Sequence, residues 1–424
     1  MNNTLFLSIF CATGLAVACE ERMCTETYDY MLEACAANDS AAIHQLIHKG
    51  ASLEMALFCA AREHNLPIVQ ELLKAGANPN CMFDGETTPL YAAIGNKSLG
   101  ECDGWCGGSF HVSAYKGQNE LVKALLDAGA NPNMPSSYRK LTPLSEAARS
   151  DDSDTVNLLL AAGAEINAQD IVGMTALHWA ALEHRNNIVS QLLNAGAQTH
   201  LLTCASEEAS IVSRYGSGHG EDKLSPLHIA AHSGNTKGVE LLLAAGVAPD
   251  TPDAAGNTPF LHAASAESQP LLRLLTDEGV DIHHTNNIGE NALDQINFFN
   301  NADSLDALRY LLQAGVRPAM RCLFTRAALR QNIEVIRTLG EAGLRCHPAD
   351  EYGNSALNEL FIWARPKDEA RIIEAIDLLM QYGGDMPTMG YRALKAASQA
   401  GMKRVYDHLL KSGAPATPPP DSDL

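Results

Sequence analysis

Between Asp170 and His200 two short apolar stripes alternate with polar turns. Leu177, Ala180 and Ala181 lie three and four residues apart, the spacing of one helix face. Val189, Leu192 and Leu193 repeat that spacing further on. Thr175 stands where a hydroxyl caps an opening turn, and Gly196 where a helix ends in the left-handed conformation. The pattern predicts a turn and two antiparallel helices in about 33 residues, with the paired alanines letting the helices approach closely. A unit of that size cannot bury its own apolar faces, so it requires neighbours.

The neighbours follow the same pattern. Ser225-Pro226-Leu227-His228-Ile229-Ala230-Ala231 leads to Leu241-Leu242 and Gly246, with Pro226 at the first helical position, where its missing amide hydrogen costs nothing. Thr258-Pro259-Phe260 leads to Leu274-Leu275 and Gly279, and Thr142-Pro143-Leu144 to Leu159-Leu160 and Gly163-Ala164. In these residues the chain resembles the ankyrin repeat family, whose unit carries Thr-Pro-Leu-His, two alanines, Leu-Leu, and a Gly-Ala followed by Asn. The resemblance covers residues 28–415 in about eleven units. It implies an all-α fold, an α-solenoid with short β-hairpin or turn fingers. Of the 424 residues 46% are apolar and only 6% aromatic, which suits an alanine- and leucine-rich stack better than a sandwich.

The array is uneven. Tyr30 to Gly50 is a degenerate first unit, as expected of a cap with a polar outer face. Insertions fall near 95–114 and 203–222, the second predicted to form a mobile finger. Later units drift: Asn291 to Gly315 and Ser355 to Gly383 are lengthened, the former around Phe298 and Phe299, and Gly340 occupies a leucine slot. Residues 416–424 form a proline-rich tail expected to be disordered.

The N-terminus and the cysteines bear on location. Leu5 to Ala18 is an apolar run too short to span a bilayer, with Ala16-Val17-Ala18 in the small-x-small form of a cleavage site. Residues 1–18 therefore read as a signal peptide without the usual basic start, and 19–27 as a linker. Leu15-Ala16-Val17-Ala18-Cys19 also resembles a bacterial lipobox, so Cys19 is either a lipidation site that tethers the chain to a membrane or a disulfide partner. The expectation is an exported bacterial protein, periplasmic, membrane-anchored or secreted. The alternative is a cytoplasmic protein with an apolar N-terminus. Of 11 cysteines, Cys11 would leave with the signal peptide. The remaining number suits an oxidising compartment. Cys322 with Cys346, Cys102 with Cys106, and Cys24 with Cys35 are the disulfide candidates, against the alternative of buried thiols. Cys102, Cys106 and His111 also suggest zinc, but structural zinc wants four ligands and only Asp103 offers a strained fourth, so a disulfide-pinned loop is preferred. No metal or other cofactor is expected.

Charge and motifs narrow the function. A formal net charge of −20 repels a phosphate backbone, and no Lys/Arg run offsets it, so no nucleic-acid partner is expected. No His-Glu-x-x-His or Gly-x-Ser-x-Gly is present, and the glycines of 216–220 do not match a phosphate-binding fingerprint. The resemblance implies that His178 and His228 tie adjacent turns through ring hydrogen bonds. No reaction is indicated, and the chain is read as a non-enzyme. What remains is binding. The slot after the motif histidine holds Glu146, Trp179, Ile229 and His262, and Trp179 with Ile229 would make an apolar contact patch. The alternative for this slot is packing between repeats. Trp105, in the first insertion, is a further anchor candidate. The expectation is a monomeric protein-binding scaffold using its concave face. The alternatives are a lipid-anchored structural or chaperone-like envelope component and a regulatory inhibitor of a neighbouring enzyme.

Overall fold

The computed structural model describes residues 27–82, 87–94, 118–137, 139–204, 223–297, 302–320, 322–346, 355–362, 364–384 and 386–416. It divides into two compact units, residues 1–212 and 213–424.

In the first unit, helix α1 (27–36) and α2 (Ser40–His48) precede four helix pairs. These are α3 (Leu53–Arg62) with α4 (Leu66–Lys74), α5 (Pro89–Ile94) with α6 (Gln118–Asp127), α7 (Pro143–Arg149) with α8 (Ser153–Ala161), and α9 (Ala176–Leu182) with α10 (Asn186–Asn194). First helices α3, α5, α7 and α9 pack in series, and second helices α4, α6, α8 and α10 form a parallel row. The two rows differ in burial for a reason visible in the sequence. Helix α9 is seven residues long and every one is buried, because it lies between its own partner and the preceding unit's first helix. Helix α10 buries only Ile188, Val189 and Leu192, a single amphipathic stripe. Ala147, Ala148, Ala180 and Ala181 are fully buried where the first helices meet, and no larger side chain would fit that approach.

The second unit repeats the scheme with α11 (Pro226–His232) and α12 (Thr236–Ala244), α13 (Pro259–Ser265) and α14 (Gln269–Asp277), α15 (Ala292–Gln295) and α16 (Ala302–Gln313). It continues with α17 (Leu323–Leu329) and α18 (Ile333–Glu341), α19 (Ala356–Glu359) and α20 (Glu369–Gln381), then α21 (Met386–Gln399) and α22 (Lys403–Lys411). In two of these pairs the second helix is lengthened and the first shortened: α16 has 12 residues and α20 has 13, whereas α15 and α19 have only four each; in the last pair the first helix, α21, has 14. At Gly340 the missing leucine is replaced from outside the repeat. A Cβ there would lie 2.2 Å from the Tyr382 ring, so that ring occupies the volume a side chain would take.

The fingers between repeats are turns rather than strands among the described residues. Each closes with one backbone bond across its base: Ser136 to Leu141, Asp170 to Met174, Asp253 to Asn257 and Asn286 to Glu290, at 2.9–3.0 Å. The signal peptide, the linker up to residue 26, Cys19, Cys24, Cys102, Trp105, Cys106, Phe298, Phe299 and nearly all of both insertions and the tail lie outside the described residues; residue 27, expected in the linker, opens α1.

Candidate protein-binding face

Each finger is built by a short polar side chain folding back on its own backbone. Asp170 Oδ1 accepts the amides of Val172 (3.0 Å) and Met174 (2.8 Å). Asn286 Oδ1 does the same for Ile288 and Glu290, and Asp253 Oδ1 accepts from Asn257 at 2.8 Å. The turn then needs a glycine three residues after the Asp or Asn. Gly173 has φ +78°, and a Cβ on it would stand 2.7 Å from the Cys204 amide nitrogen of the next finger.

That close approach is what joins finger to finger. Ile171 N–H donates to the Arg139 carbonyl (3.1 Å) and Cys204 N–H to the Val172 carbonyl (2.9 Å); in the second unit Asn287 N–H donates to Ala255 (3.0 Å). A second ladder runs where helix pairs end. Asn133 Nδ2 donates to the Gly163 carbonyl at 3.1 Å while its Oδ1 accepts the Glu165 amide at 2.7 Å, and Asn80 spans Gly129 and Asn131 in the same way. Within each unit the display surface is therefore fixed by bonds between consecutive repeats. Its tips remain open: Ile288 is 64% exposed.

The residues expected to meet a partner in the slot after the motif histidine lie inside. Glu146 is 1% exposed, Trp179 4%, His262 4% and Ile229 5%. The apolar surface patch expected of Trp179 and Ile229 is therefore not at the surface, because this slot points at the finger and the adjacent first helix. Trp179 donates its indole N–H to Asp170 Oδ2 at 3.0 Å. Glu146 is bonded to Arg149 at 2.9 Å and receives the Tyr91 hydroxyl at 3.3 Å. The Arg149 guanidinium lies 5.9 Å from the Trp179 ring centre. The Glu146 charge, ahead of burial, holds the Arg149 guanidinium protonated more firmly than usual.

Histidines 178 and 228 both bond their own caps, and His228 also makes the tie to an adjacent turn that the resemblance implies. Each ring's Nδ1 accepts the backbone amide of its cap, Thr175 at 3.1 Å and Ser225 at 3.2 Å. His228 Nε2 also donates to the Thr251 carbonyl at 2.8 Å, binding its helix to the following finger. Burial, followed by the neighbouring His262, pushes His228 down to about 4, and the same two causes push His232 to about 4. Asp294 takes the histidine's place in its repeat and accepts the amides of Asn291, Ala319 and Met320.

The disulfide expectation is corrected among the described residues. Cys322 and Cys346 are not joined to each other, and Cys35, Cys59, Cys81 and Cys204 are likewise thiols. Cys346 is carried toward the next repeat, where its amide donates to the Tyr382 carbonyl at 2.8 Å. Burial raises its thiol to about 11 and that of Cys35 to about 12, the latter with help from Glu63. Among the described residues no group of three His, Cys, Asp or Glu side chains is placed to hold a metal ion, and no helix is long and apolar enough to cross a membrane.

The sequence reading missed Asp170 and Asp253. Both precede their slot residue by nine positions and both open an Asp-x-x-Gly turn, a spacing legible without coordinates.

Comparison with known proteins agrees with this geometry. The family model described as ankyrin repeats (3 copies) matches residues 110–203 and 200–286, and the single ankyrin repeat matches 53–82. The ankyrin repeat domain-containing protein SAT10 of Stachybotrys chartarum is 30% identical over 224 residues, 53% of this chain and 9% of that protein. The B-cell lymphoma 3 protein homolog of Mus musculus is 30% identical over 228 residues, covering 52% and 47%. Neurogenic locus notch homolog protein 2 of Homo sapiens is 33% identical over 171 residues, covering 38% and 6%. The chain spans less than half the length of each. All three come from eukaryotes and lend no support to a bacterial source.

Proposed function

Residues 53–82 and 110–286 belong to the ankyrin repeat family, and on that premise we propose that the chain is a non-enzymatic scaffold holding a protein partner against its finger tips and first helices. The observation that carries this reading is the bonded row of fingers in each unit, which presents exposed tips on a backbone that has little freedom left to lose on binding. Ankyrin repeats generally mediate protein–protein interaction, and three similar proteins that share them differ widely in everything else their names record. Charge selects the partner's sign. Residues 238–308 hold eleven Asp and Glu against the single Arg273, so a basic surface would be steered toward the fingers of the second unit. Export belongs to the same proposal and is supported by the apolar run and cleavage-like Ala16-Val17-Ala18, with Cys19 as the tether if it is acylated.

The test uses the full chain with a photo-crosslinking residue at position 288 to identify the partner, followed by affinity measurement. Ile288→Arg should weaken that partner's binding by about tenfold or more, as expected for an apolar anchor, while Asp277→Asn on the exposed side of α14 should leave it unchanged. Equal affinities for the two variants would remove the finger tips from the reading.

A further inference from the structure

The second unit brings three imidazoles together, His228 and His262 buried and His232 half-buried, with one carboxylate bonded to His262. His228 and His232 lie one helical turn apart on α11, and His262 on α13 meets both. Its ring centre is 5.5 Å from that of His228 and 5.6 Å from that of His232, edge to face in each case. The counter-charge comes from the finger. Asp253 Oδ2 accepts from His262 Nε2 at 2.8 Å, and its other oxygen is taken by the Asn257 amide. Since His228 Nδ1 accepts the Ser225 amide, its proton sits on Nε2 and goes to the Thr251 carbonyl. His228 and His262 thus fasten finger 251–257 to α11 and α13, while His232 Nδ1 has no hydrogen-bond partner.

Among the described residues no second counter-charge faces the cluster. On α12, Lys237 and Glu240 pair with each other at the surface. On α14, Arg273 lies over the Tyr310 ring and Asp277 and Glu278 are exposed. Glu267, just past α13, is held by the Asn297 amide and the Ser304 hydroxyl, and Asp294 on α15 by the amides of Asn291, Ala319 and Met320. Asp253 can balance one imidazolium. A second would lie within the same largely buried cluster without a carboxylate among the described residues, and a proton on His228 Nδ1 would also evict the Ser225 amide from its acceptor.

We propose that this cluster is an acid latch: with His228 and His232 unprotonated it holds finger 251–257 on its two helices, and protonation of those two rings releases it. The sense follows from the two histidines held near 4 when folded, against about 6.5 in an unfolded chain. The unfolded or opened form binds more protons between those values. The stabilisation is therefore complete above about pH 6.5 and is lost progressively as pH falls toward 4.

Hydrogen exchange of the full chain at pH 7 and pH 5, corrected for the intrinsic pH dependence of exchange, tests the proposal. Opening of the segment 225–265 should rise on the order of tenfold for each histidine that titrates, while the histidine-free segment 143–161 stays unchanged. His232→Leu should remove about tenfold of that rise, with helix content at pH 7 retained by circular dichroism. Should that variant not fold, His232→Gln carries the same expectation. An undiminished acid rise in the variant, or an equal rise in both segments of the wild type, would overturn the latch.

Discussion

Two repeats, one in each unit, solve the same local problem with different rings. Nine residues after a finger aspartate, the first unit places Trp179 and the second His262, and each gives a ring N–H to that carboxylate, at 3.0 Å and 2.8 Å. The two aspartates nonetheless shift in opposite directions. Burial holds Asp170 above the usual carboxylate range, against the bonds it receives from the Met174 and Val172 amides and the indole. Burial also acts on Asp253, but the bonds and charge of His262 outweigh it, and that carboxyl lies below the usual range. An indole can satisfy a carboxylate yet cannot carry a compensating charge, whereas an imidazole can. The first arrangement is indifferent to protons at the ring, and a raised Asp170 favours folding as pH falls just above the ordinary carboxylate range. The second loses the Asp253 contribution lower down, as pH falls from the ordinary carboxylate range toward the depressed one, because a depressed carboxyl stabilises only while ionised.

Breaking the first arrangement should have the largest effect. Trp179→Ala leaves a cavity beside the fully buried alanines and strands Asp170, at a cost of about 3–5 kcal/mol, read as a lowered urea midpoint. Removing the carboxylate comes next and separates the two units. Asp253→Asn deprives His262 of its carboxylate partner and should destabilise by about 2–3 kcal/mol at pH 7, while Asp170→Asn costs about 1 kcal/mol, since an amide oxygen at the Oδ1 position keeps both backbone bonds and only the indole bond is lost. Equal losses for the two variants, compared by denaturation at pH 7, would dissolve the distinction between the rings. The smallest effect is expected at Arg149. Arg149→Lys keeps the charge but loses the fork on Glu146 and the flat contact with Trp179, for about 0.5–1 kcal/mol.

The repeating stack was readable because alanine and leucine spacing survives in nearly every unit, and burial follows that spacing: Leu177, Ala180, Ala181, Val189 and Leu192 are all buried. The slot after the motif histidine was not readable in the same way. On a helical wheel it falls on the side away from the partner helix, so Trp179 and Ile229 look free. What covers that side is the finger, an irregular segment with no periodicity of its own, together with the preceding first helix. Only the pairing of Asp170 with Trp179 and Asp253 with His262 at the same separation betrays the cover. The cysteines misled for a related reason. Antiparallel helices do bring the surroundings of Cys322 and Cys346 to one side, but the chain after Gly343 turns away to bond Tyr382 in the next repeat. Gly340 was legible as an anomaly without its remedy, since Tyr382 arrives from a later unit.

A seven-residue helix with every side chain buried has a consequence for how such a chain could change over generations. Too short to persist alone, α9 exists only as a seam between flanking neighbours. Trimming a repeat from the end of a unit forfeits one seam. Excising one from the middle forfeits two and restores one only when the newly adjoining faces match. Length can therefore vary cheaply at the margins and in the turns, while the interior order of repeats is held in place by what each has been shaped to touch.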